Sequence, residues 1–173
     1  VAVYFHPRNP VSSAGREYEA EYDLVHNLSW PYETALILSR LVFSGIMERY
    51  PTLKIVCHHL GGLIPFFMGR TEETYGSENP DNIGGSRGPA FSDGGGAVPG
   101  RLFDYFSRFN YDTAVGGSVP ATRCAYEVFG ADPIVFGTDY PAGPGGKSGD
   151  YRLATYPKVI EALNLPEKDK EKI

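Results

Sequence analysis

Pro133-Ile134-Val135-Phe136-Gly137-Thr138-Asp139-Tyr140-Pro141 decides the fold. A short apolar run rich in β-branched and aromatic residues reads as a buried strand. It stops on a carboxylate, Asp139, with a proline close behind. Two upstream stretches have the same form. Val1-Ala2-Val3-Tyr4-Phe5 stops on His6-Pro7, and Leu53-Lys54-Ile55-Val56-Cys57 stops on His58-His59. Three strands that end in His, His and Asp are expected to collect those side chains at one rim of a parallel sheet. That rim is where α/β barrels carry their chemistry.

Between these strands the pattern changes period. Residues 32–50 read as a helix, with Leu36, Leu38, Leu41, Val42 and Ile46 mostly at helical spacing and Pro51 as its stop. A helix begins at Ile64 after the Gly61-Gly62 break, and a short helical piece covers 101–106. A third, weaker strand covers 109–113, and a helix over 120–129 ends at Gly130. The fourth strand is 133–138, and the last clear helix is 151–163. Residues 76–100 are rich in Gly, Ser, Asn, Asp and Pro and read as an insertion loop within one domain of residues 1–173.

The order is therefore β, α repeated four times, which argues for a parallel sheet with crossover helices. Four units are half of a (β/α)8 barrel and leave two open sheet edges. The remaining strands are expected from a further part of the polypeptide or from a second chain; an open sandwich is the alternative. The opening at Val1 without Met favours the first expectation.

Composition narrows the class. The 173 residues are 42% hydrophobic and 21% charged, as for a folded domain. No stretch approaches the roughly 20 apolar residues of a membrane helix. A net charge of −5 with scattered Lys and Arg argues against nucleic acid as a partner. The two cysteines, Cys57 and Cys124, make no disulfide framework, and a cytoplasmic setting is expected.

His6, His59 and Asp139 are the candidates for a metal centre, since ligation needs imidazole and carboxylate held rigidly with one position open. A single histidine at a strand end is more often an ordinary hydrogen-bonded residue; the set of three is the signal. His58 should face away from His59 if the strand continues, because strand side chains alternate. The pattern does not say which of the two is structural. Asp112 either lines the same rim or caps its own loop. His26 and Trp30 fit a pocket or a surface role. Arg70 suits a substrate carboxylate or a solvated helix face. Other chemistries fail on their spacing. Gly146-Lys147-Ser148 would need a glycine at Pro141 to make a phosphate loop, and no Gly-x-Ser-x-Gly elbow exists.

Taken together, His58-His59-Leu60-Gly61-Gly62-Leu63-Ile64-Pro65-Phe66 with Gly69-Arg70 resembles the central motif of the amidohydrolase-related metal-dependent decarboxylases, whose type member is aminocarboxymuconate semialdehyde decarboxylase. Phe136-Gly137-Thr138-Asp139-Tyr140-Pro141 resembles that family's last-strand motif, and Phe5-His6-Pro7 its fifth-strand motif. Trp30-Pro31-Tyr32-Glu33-Thr34, Ser44-Gly45-Ile46 and Arg49-Tyr50-Pro51 resemble the helix between them.

The resemblance implies a (β/α)8 barrel of which this chain supplies strands five to eight. It implies His6 and Asp139 as ligands of one divalent ion, zinc first and manganese second. His59, with Asp139, would be catalytic, and His58 structural. Arg70 would bind the substrate, a small carboxylate, within a homodimer, and Trp30 is the candidate from the residues themselves to line the same pocket. The implied reaction is non-oxidative decarboxylation of an unsaturated or aromatic acid. Hydrolysis of a lactone, amide or C–C bond is the alternative, and a non-catalytic half-barrel a third. The family's first-strand His-x-His pair does not occur in these residues. Two protein ligands alone hold an ion weakly.

Overall fold

The computed structural model describes residues 1–8, 22–75, 101–141 and 150–173. Four strands, β1 (Ala2–Phe5), β2 (Lys54–Cys57), β3 (Asn110–Asp112) and β4 (Ile134–Val135), form one sheet in the order β1-β2-β3-β4. Every pairing is parallel, with Phe5 opposite Cys57, Cys57 opposite Tyr111, and Tyr111 opposite Ile134. The matched register brings the strand ends to one rim.

Helices fill each crossover, as parallel pairing requires. A π-turn (Val25–Ser29) runs into α1 (Trp30–Phe43), and α2 (Ile46–Arg49) follows. Next come α3 (Ile64–Tyr75), α4 (Leu102–Phe106), α5 (Val119–Phe129), α6 (Asp150–Ala162) and α7 (Glu167–Lys170). The single helix expected over 32–50 is broken at Ser44-Gly45, where Gly45 takes a left-handed φ of 70°. The last strand is shorter than expected, two residues against six. Helix α5 starts where Ser118 accepts from the Ala121 amide and ends at Gly130, φ 76°. The 76–100 insertion and the 142–149 loop lie outside the described residues. No helix among the described residues is long and apolar enough to cross a membrane.

The core lies between the sheet and the helices. Ile55, Cys57, Tyr111 and Ile134 point into it and meet Leu38, Val42, Met47, Phe106 and Phe109. Tyr111 anchors this layer: its ring stacks on Phe129 at 4.6 Å, and its hydroxyl donates to the Phe106 carbonyl at 2.6 Å. The opposite face is open at the β1 edge, where Tyr4 is 65% exposed.

Two glycines fix the loop after β2. A Cβ on Gly61 would lie 2.7 Å from the Tyr111 ring, and one on Gly62 only 2.3 Å from the Pro31 carbonyl oxygen. Both have positive φ. The loop is thus pressed between the β3 core and the start of α1. Gly62→Ala should lower stability by about 2–4 kcal/mol, from strain plus overpacking. Gly45→Ala, with open space around it, should cost about 1 kcal/mol from the left-handed backbone alone. Urea unfolding of the two variants measures the difference.

Candidate metal centre and cleft

Past His58 the chain leaves the extended conformation. His58 is still extended, but His59 and Leu60 turn left-handed, with φ of 58° and 52°. Alternation is lost there, so His58 and His59 do not face opposite sides as expected. Both rings flank His6, at centroid distances of 4.9 and 5.2 Å.

Asp112 holds this turn in place. One of its oxygens accepts from the His59 amide at 2.9 Å and from the Ala114 amide at 3.1 Å. Its other oxygen lies 2.5 Å from His58 Nδ1, an electrostatic contact rather than a well-directed hydrogen bond. The carboxylate is buried, and its bonds tie the loops after β2 and β3 together. The next residue, Thr113, joins the loop after β4: its hydroxyl donates to the Gly137 carbonyl and accepts from the Gly137 amide, both at 3.0 Å. Of the two readings open for Asp112, the structure shows it capping the loops at the rim.

These braces present three donors to one point. Ligand atoms of His6, His59 and Asp139 all lie within 4.8 Å of one another. Ligands of one tetrahedral ion at ~2.1 Å sit about 3.4 Å apart, so the trio closes on an ion by a movement of about an ångström. The His6 tautomer suits ligation. Its Nδ1 sits 2.6 Å from the Pro7 carbonyl, which can only accept, so Nδ1 carries the proton and Nε2 the lone pair. Burial holds His59 below the usual histidine range, opposed by the charges of Asp112 and Asp139; a neutral ring can ligate or accept a proton. Asp139, like His59, has a left-handed backbone, φ 60°. With Leu60, that makes three non-glycine residues in that region at one rim, which marks a site whose surroundings enforce strain.

Beside the trio opens a cleft of about 350 Å³, lined by His26, Trp30, His59, Gly116, Asp139 and Arg152 among others. That volume falls in the range of small-molecule sites. Trp30 packs edge-on against His6 at 5.4 Å and His26 at 4.7 Å. Arg70 stands elsewhere: it is exposed on α3 and is not among the described residues lining the cleft.

One residue of the site escaped the sequence reading. Arg152 follows the Gly-rich stretch 142–149 and belongs to no motif. It donates from Nη1 to Asp139 Oδ2 at 2.6 Å and to the Thr138 and Asp139 carbonyls at 3.3 and 3.4 Å.

The family model described as Amidohydrolase matches residues 1–173. The gamma-resorcylate decarboxylase of Polaromonas sp. (strain JS666) is 30% identical over 176 residues, covering 100% of this chain and 48% of that protein. The 2-amino-3-carboxymuconate-6-semialdehyde decarboxylase of Dictyostelium discoideum is 30% identical over 142 residues, 81% of this chain and 34% of the relative. Among solved structures, a dihydroxybenzoic acid decarboxylase from Polaromonas sp. JS666, with bound manganese and the inhibitor 2-nitroresorcinol, superposes with a TM-score of 0.73 at 29% identity. It is matched by 100% of this chain over 47% of its own length. The chain spans about half the length of these relatives, and its four β/α units correspond to half of their (β/α)8 barrel.

Proposed function

Because this chain belongs to the amidohydrolase family, we propose that the protein it forms is a metal-dependent, non-oxidative decarboxylase of an aromatic or unsaturated carboxylic acid. The convergence of His6, His59 and Asp139 beside a cleft carries this reading. The decarboxylase names of the relatives favour it over hydrolysis and over a non-catalytic half-barrel.

Residues 1–173 act as one domain, the C-terminal half of the barrel. His6 and Asp139 would hold the ion, with His59 beside it. A bound divalent ion supplies Lewis-acid stabilisation of the electron pair left as CO₂ departs. The rest falls to the chain. Trp30 gives the flat apolar wall against which an aromatic or conjugated acid lies. The carbon that loses CO₂ takes up a proton in its place, and His59 and Asp139 are groups of the cleft, beside the metal position, able to carry one. Imidazole and carboxylate suit zinc; the Polaromonas structure carries manganese, so both ions belong in the test.

The protein works as a homodimer in this reading. Phe66 and Phe67 are exposed beside Arg70 on α3, which supports a covered surface there and a role for Arg70 across it. A cytoplasmic setting fits two free cysteines, Cys57 being buried with its thiol pushed up to about 12, chiefly by burial.

The test is CO₂ release from 2,6-dihydroxybenzoate and muconate-type acids by the full-length protein loaded with Zn²⁺ or Mn²⁺. Release that stops on chelation is the expected result. Stoichiometric metal without CO₂, together with cleavage of lactones or amides, would move the reading to hydrolysis.

A further inference from the structure

We propose that Arg152 is the cation that receives the anionic end of the substrate inside this chain's own cleft. This rests on the carboxylic-acid reading above and deepens it by naming the residue that selects for the charge.

The guanidinium is only half committed. Its Nη1 serves Asp139 Oδ2 and the carbonyls of Thr138 and Asp139. Guanidinium carries five N–H donors in a fixed fork. The three on Nη2 and Nε have no partner among the described residues, although the side chain is only 12% exposed. Arg152 lines the cleft, and a bidentate carboxylate is the ligand the planar geometry of these donors fits.

Its orientation is already set. Three contacts from Nη1 and the Tyr156 ring, 5.9 Å from the guanidinium carbon, limit its rotation before any ligand arrives. An acid bound to the remaining donors shares the guanidinium with Asp139, and the positive charge offsets the repulsion between the two carboxylates. Trp30 lines the same cleft.

Titration calorimetry on the full-length protein reports occupancy without turnover. The probes are 2,6-dihydroxybenzoate and resorcinol, which is the same ring without the carboxylate, titrated into the purified protein with and without Mn²⁺. Arg152→Gln should weaken 2,6-dihydroxybenzoate at least ~10-fold, and Arg152→Lys should weaken it less. Resorcinol should bind the parent and both variants alike, which also shows that they are folded. Unchanged benzoate affinity in Arg152→Gln overturns the proposal. Equal weakening of resorcinol, or loss of Mn²⁺ binding, overturns it too, because Arg152 would then be a brace for Asp139. The decarboxylase reading is decided separately. Arg152-dependent binding with no CO₂ release defeats that reading and supports the anchor. CO₂ release with an unchanged KM in Arg152→Gln does the reverse.

Discussion

Asp139→Asn is expected to abolish metal-dependent CO₂ release and to lower metal affinity by more than ~100-fold. Loss of a group that merely hydrogen-bonds a ligand already costs 10–100-fold, and Asp139 is proposed as a ligand itself. Asparagine keeps the size of the side chain and tolerates the left-handed backbone found at this position. The loop should therefore survive while the charge is lost. The same change removes the anionic partner of Arg152, 2.6 Å away. Elemental analysis and CO₂ release, measured on one preparation, check both parts. Full activity in the variant would remove Asp139 from the metal centre.

His59→Ala has the second largest expected effect. Turnover should fall ~10²–10⁴-fold, the usual contribution of a positioned acid or base, while metal content stays near that of the parent. The ring stands within ligand distance of His6 and Asp139, so the two readouts must be taken together. Equal loss of metal and turnover would make His59 a third ligand. Preserved metal with lost turnover assigns it to proton handling.

How much of this was legible in the sequence depends on the range of the interactions involved. Three of the strands were legible because each is an apolar run with β-branched residues that stops on a polar group; β3, Asn110–Asp112, is the weaker signal. Parallel order followed from the alternation with helices, and the rim trio followed from strand ends alone. The relation of His58 to His59 was not legible. Strand alternation predicts opposite faces, but the backbone turns left-handed at His59, held by Asp112 from 53 residues away. Such a brace leaves no trace in local periodicity. Arg152 was hidden for the same reason, since its partner Asp139 lies on another element. Arg70 was visible in a motif, yet a motif carries no direction, and α3 sets the side chain outside the described lining of the cleft. The break of the 32–50 helix at Gly45 was marked by a glycine that the apolar spacing ran straight through.

The left-handed backbone at Asp139 also constrains descent. Few side chains accept that conformation without a penalty of about 1–2 kcal/mol; asparagine and glycine are the natural exchanges. Glutamate, the other carboxylate, is disfavoured by the backbone rather than by its chemistry. Selection for folding alone therefore leaves open a route by which the charge drifts away while the loop stays intact. Homologues that have given up the reaction should carry Asn or Gly at the position of Asp139 more often than any other residue, and that substitution would betray a retired enzyme from sequence alone.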